Sequence, residues 1–144
     1  MGDVNKNLKI LKKEHHSARH ICWAYRLNSG NELTENSSDG REPSGSAGLP
    51  ILNTLRKNRI ANGAVFVIRY FGGVKLGKRG LIDAYKKCAE IALEQARLRQ
   101  WKQKKNYQIE CPIDYYGTLS NILGKYKGKI VRDESESSLS WQID

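Results

Sequence analysis

Hydrophobic positions along the chain change period several times, and each change predicts an element. Between residues 4 and 14, Val4, Leu8 and Leu11 share one helical face while Lys6, Lys9, Lys12 and Lys13 surround them, which predicts a basic amphipathic helix. Ile21, Trp23, Tyr25 and Leu27 then alternate with Cys22, Ala24 and Arg26, so a strand is expected with its apolar face on the four large side chains. Trp23 and Tyr25 read as core rather than as platforms for stacked bases. Residues 28–48, rich in Ser, Gly, Asn and Glu, read as a long loop containing a short strand. Pro50 suits a first helical position, with Ile51, Leu52 and Leu55 as the buried side of the helix it opens.

The pattern continues with a buried strand over Ala64–Phe71, Phe71 included, and a long helix from Leu81 to about Arg99. Residues 99–106 are a basic linker. Beyond it, Tyr107, Ile109, Cys111 and Ile113 alternate as a strand. Leu119, Ile122, Leu123 and Tyr126 mark a helix that Gly128 stops, and two short strands follow at Ile130–Arg132 and Leu139–Ile143. The tail is β-α-β-β, the chain as a whole α+β, and the domains expected are 1–100 and 106–144.

Composition changes this picture in one respect. The 144 residues carry 25 Lys and Arg against 15 Asp and Glu, a net charge of +10, which favours anionic partners such as nucleic acid. The charge is uneven: residues 51–87 hold nine basic residues and one acid, residues 28–50 four acids and one arginine. No apolar run reaches the ~20 residues of a membrane span, and a cytoplasmic location with no membrane partner is expected. Three widely spaced cysteines, Cys22, Cys88 and Cys111, form no C-x-x-C pair and read as free structural thiols.

The positive charge centres on R-Y-F-G-G-V-K-L-G-K-R-G, Arg69 to Gly80. A strand gives way to a glycine-rich loop and then to a helix whose free N–H groups and dipole suit an anion. Arg69, Lys75, Lys78, Arg79 and the backbone at Gly72 and Gly73 are the candidate phosphate contacts. The glycine-lined helix start at Ser46 and Ala47 is a second one. Gly72, Gly77 and Lys78 also match the G-x-x-x-x-G-K spacing of a nucleotide-binding loop, but Arg79 stands where a metal-binding Ser or Thr belongs. A plain solvated glycine loop is the bland alternative.

Other chemistry is weaker. His15, His16, His20 and Cys22 include metal-ligating types without a second ligand cluster, and no metal or cofactor is expected. A Cys22 nucleophile with His20 as base lacks an orienting third group. Asp39 and Glu42 suit a solvated turn better than an acid–base pair, and Glu42 is expected to order the loop by pairing with Arg41 or Arg69.

Three segments carry a resemblance: H-I-C-W-A-Y-R at His20–Arg26, D-G-R-E-P-S-G-S-A-G-L-P at Asp39–Pro50, and R-Y-F-G-G-V-K-L-G-K-R-G-L-I-D-A-Y at Arg69–Tyr85. Together they resemble the IMPACT family. The resemblance implies a first domain with a two-layer fold like a ribosomal-protein domain and domain IV of elongation factor G, then part of a ferredoxin-like domain. It also implies a role in regulating translation, with RNA, the ribosome or a protein of translation control as partner, and no settled catalytic activity. Three positions, in two segments, depart from the family pattern. The usual D-D-G-E-P reads D-G-R-E-P here, and Arg79 replaces a glycine. Relative to the family, the chain is expected to start inside the first helix and to stop before the last helix and strand of the second domain. The leading reading is a non-catalytic RNA or ribosome binder; an enzyme acting on phosphorylated small molecules and a protein-interaction module stay open.

Overall fold

The computed structural model describes residues 2–30, 32–103 and 105–143. The chain is α+β, with two three-stranded antiparallel sheets, and it divides into compact units at 1–101 and 102–144.

In the first unit, helix α1 (Gly2–Glu14) precedes strand β1 (His20–Asn28), which lies between β2 (Leu33–Ser38) and β3 (Gly63–Arg69). Both neighbours are antiparallel to β1, with Trp23 opposite Ser38 on one side and Phe66 on the other. Helix α2 (Gly48–Lys57) follows β2, and α3 (Gly77–Gln95) follows β3. The core forms where these two helices meet the sheet: Ile51, Leu52 and Leu55 from α2, Leu81, Tyr85 and Ala89 from α3, and Cys22, Ala24 and Val65 from the strands. Burying that set is the main stabilising term, roughly 25 cal/mol for each Å² of apolar surface removed from water.

The small residues of β1, and not the large ones, face the helices. Cys22 and Ala24 are fully buried there, whereas Ile21 and Trp23 are half-buried on the opposite face, where Leu8 of α1 shares their cleft. The expected apolar face is thus reversed, because alternation separates the two faces of a strand without marking which of them the helices cover. Tyr25 is buried as expected, and its ring stacks on that of Trp23 at 5.8 Å. Small side chains on β1 also let α2 approach closely. Glu35 of β2 ties the layers at the other end, accepting from Arg26 Nε at 2.6 Å and from Arg56 Nη2 at 2.6 Å.

In the second unit, β4 (Tyr107–Pro112) leads through one 3₁₀ turn (Ile113–Tyr115) into α4 (Tyr116–Tyr126), then β5 (Ile130–Asp133) and β6 (Ser138–Ile143). The strand order β4-β6-β5 places β6 between two strands antiparallel to it, the arrangement of a split β-α-β unit. Leu139 and Trp141 of β6 are fully buried, and Tyr116 meets Trp141 edge-on at 5.3 Å. Helix α4 ends on Lys127, in the left-handed region at φ 57°, rather than on Gly128, whose N–H donates to the Leu123 carbonyl.

One glycine is fixed by contact. A Cβ on Gly48 would lie 2.7–2.9 Å from backbone atoms of Ser38, whereas one on Gly72 would meet nothing within 4 Å. Gly48→Ala is therefore expected to destabilise the fold by about 1–3 kcal/mol in urea unfolding. Gly72→Ala should stay within about 0.5 kcal/mol of the parent.

Candidate nucleic-acid interface

Strands β2 and β3 are both antiparallel to β1 and so parallel to one another, and each runs into a helix that returns along the sheet. Helices α2 and α3 therefore start at the same end of the sheet, where β1 begins. His20 is opposite Arg69 in the ladder, and the Arg19 N–H donates to the Arg69 carbonyl at 3.1 Å. One end of the fold thus collects residues 19–20, 39–48 and 69–80.

Two carboxylates organise its interior. Asp39 accepts three backbone N–H groups: Gly45 at 3.0 Å on Oδ2, and Ala47 at 2.9 Å and Gly48 at 2.8 Å on Oδ1. It thereby supplies the cap that Ala47, at the start of α2, cannot provide from its own side chain. Burial alone would raise the Asp39 pKa, but the three N–H groups and the Lys78 charge outweigh it and hold the carboxyl below its usual range. Glu42, with 4% of its side chain exposed, accepts from Arg69 Nη1 at 2.6 Å and from the Tyr85 hydroxyl at 2.9 Å. His20 Nδ1 donates to the Gly40 carbonyl at 3.0 Å, and its Nε2 lies 3.8 Å from Glu42.

These surroundings leave the thiol inert. Cys22 is fully buried, its Sγ donates to the Asp39 carbonyl at 2.9 Å, and burial pushes its pKa up to about 11. Burial, with Cys22 and Glu42 beside it, raises Tyr85 as well. His20 is spent on Gly40 and does not activate Cys22. His15 is held elsewhere, its Nδ1 bonded to the Tyr70 hydroxyl at 2.7 Å.

The exterior is cationic and aromatic. Helix α3 begins at Gly77 and not near Leu81, so Lys78 and Arg79 sit in its first turn rather than in the loop before it. That turn has no acidic residue and no side-chain cap. Gly73 and Gly77 take positive φ, 87° and 67°, which a glycine supplies freely. Arg79 adopts no such conformation; Arg41 does, at φ 72°. Lys75, Lys78 and Arg79 are exposed, and Arg79 reaches Asp83 at 3.3 Å in a solvated pair worth little.

Several residues expected here lie differently. Strand β3 ends at Arg69, so Phe71 is 48% exposed rather than core, with the guanidinium groups of Arg19 at 5.8 Å and Arg69 at 5.7 Å from its ring centre. Ser46 and Ala47 are fully buried, and their N–H groups already serve Pro43 and Asp39, so neither offers a donor to an outside anion. Arg69 is largely committed to Glu42. Arg19 carries no motif, and Arg41, one of the two partners expected for Glu42, is passed over for Arg69; Arg19 and Arg41 both stand at this end of the sheet.

With this architecture in view, similarity to known proteins becomes informative. Residues 1–93 match the Impact N-terminal domain. The chain is 36% identical over 121 residues to the IMPACT family member YvyE of Bacillus subtilis, covering 84% of this chain and 55% of that one. It is 30% identical over 131 residues to the family member YigZ of Escherichia coli, covering 90% of this chain and 64% of that one. A crystal structure described as that of a hypothetical protein superimposes with a TM-score of 0.70 at 26% identity, over 99% of this chain and 70% of that one. The α+β fold is thus shared with a solved structure, and the first unit carries the family's N-terminal domain. The chain belongs to the IMPACT family, a group related in general to regulation of translation. It spans a little over half the length of the curated relatives it matches. Among the described residues no helix is long and apolar enough to cross a membrane.

Asp39→Asn should cost about 2–3 kcal/mol at pH 7, since charge-assisted bonds to three N–H groups are lost. Because folding holds this carboxyl below its unfolded value near pH ~4, its contribution is whole above that pH and vanishes as pH falls through the lower folded value. Urea unfolding of parent and variant should therefore converge toward pH 2. Thiol labelling gives a second check: iodoacetamide at pH 8 should modify exposed Cys88 rapidly and leave Cys22 unmodified until the protein unfolds.

Proposed function

We propose that the chain is a non-catalytic cytoplasmic protein that contacts RNA or the ribosome and acts in the control of translation. The observation that carries this reading is the exposed set Lys75, Lys78 and Arg79 around an uncapped helix start, with Phe71 and Arg19 beside it. Such a surface attracts phosphates through charge and through free N–H groups, while exposed rings accept bases by stacking. Membership of a family related to translation supports the same reading. The contacts proposed are Lys75, Lys78 and Arg79, with the backbone at Gly72 and Gly73 and a secondary share for Arg69.

A second reading has its own observation. The uncapped start of α3 would also take the phosphate of a small molecule, so an enzyme of phosphorylated compounds uses the same turn. Millimolar ATP with magnesium should raise the melting temperature under that reading, whereas RNA should do so with or without magnesium under the first. A protein of translation control is the third kind of partner, with charge serving to steer association.

Changing Lys75, Lys78 and Arg79 together to Glu should abolish RNA binding and ribosome co-sedimentation while leaving the melting temperature near the parent's. Single changes to Ala should each flatten the salt dependence by about 0.7 per lost phosphate contact on single strands. A folded triple variant that still binds RNA like the parent at every salt concentration would remove the reading's main support.

A further inference from the structure

On the face of the first sheet away from α2 and α3, helix α1 and β1 enclose an open cleft of about 550 Å³, within the usual range of small-molecule sites. Trp23 forms part of its wall, and Lys12, His16, Arg19 and Arg41 contribute cations and polar heads. No Asp or Glu lines it. Among the described residues none of Lys12, Arg19 and Arg41 pairs with a carboxylate, and Arg41 Nη2 instead leans on the Arg19 carbonyl at 3.4 Å.

We propose that this cleft binds a nucleotide, with the base against Trp23 and the phosphate on Arg19, Arg41 and Lys12. Three observations converge on that chemistry. The indole is half-buried and backed by the stacked ring of Tyr25, so it is held in place and a planar base covers it with little loss of side-chain freedom. The cations converge with no acid among them, an arrangement whose mutual repulsion a phosphate relieves. Arg41 also sits at φ 72°, a conformation unfavourable for any residue with a side chain, so its guanidinium is presented at the cleft from a strained backbone.

The nucleotide has two sources, a free nucleoside monophosphate or an exposed nucleotide of a single strand. Arg19 borders both surfaces, but Lys75, Lys78 and Arg79 do not line the cleft, so the two proposals are tested by different variants.

Titration of the whole chain by calorimetry with AMP, a single-stranded oligoadenylate and inorganic phosphate tests it. AMP or the oligoadenylate should bind at least about tenfold more tightly than phosphate, through stacking on Trp23. If AMP saturates the site the ligand is the free nucleotide; if only the oligoadenylate binds, it is a strand. Arg41→Gly should weaken that binding about tenfold and raise the melting temperature by about 3 °C, as charge and strain leave together. Trp23→Leu should weaken it similarly. The Lys75, Lys78 and Arg79 triple change to Glu should leave AMP binding as it was. Phosphate binding as well as the nucleotides, no binding by either nucleotide, undiminished binding by the folded Arg41→Gly protein, or loss of AMP binding in the triple variant would each overturn the assignment.

Discussion

The Asp39 carboxylate is the contact on which this end of the molecule depends. One side chain at the end of β2 gathers the N–H groups of Gly45, Ala47 and Gly48, and so fixes both the path of the loop and the starting point of α2. Without it, three backbone donors in a half-buried turn would lack a partner, each a loss comparable to a missing hydrogen bond. Because α2 carries Ile51, Leu52 and Leu55 into the core, an electrostatic contact in a loop also sets the position of the apolar packing beneath it.

Glu42 and Arg69 do the corresponding work for β3. Their pair is nearly enclosed, and such a pair adds little net stability even though breaking it from one side is severe. Its value lies in placement. It locks the last residue of β3, and from that fixed point residues 70–76 run outward and carry Phe71 and Lys75 into solvent. The two carboxylates thus divide one end of the sheet into an interior whose donors are satisfied within the chain and an exterior whose cations are mainly solvated.

Much of this was legible in the residues themselves. The buried side of α2 follows from Pro50 and the spacing of Ile51, Leu52 and Leu55, and the tail's β-α-β-β order follows from period changes alone. What escaped was direction. Period 2 in β1 separates two faces but does not say which one the helices choose, and Cys22 and Ala24 won because close packing favours small side chains. Phe71 looked like core because nothing in the local pattern marks Arg69 as the last paired residue. The engagement of Ala47 depends on an aspartate eight positions away, and that of Ser46 on the carbonyl of Pro43. Arg19 lies between elements without a motif, and the left-handed backbone of Arg41 is invisible in composition.

The contact between Gly48 and the Ser38 backbone has a bearing on motion. Two main chains in touch leave no room for side-chain slippage, so the entry to α2 cannot serve as a hinge. At Gly72 and Gly73, by contrast, an added Cβ meets nothing, so the packing around residues 70–76 is open. Ordering that open segment against anything it touched would cost conformational entropy that the fixed entry to α2 would not.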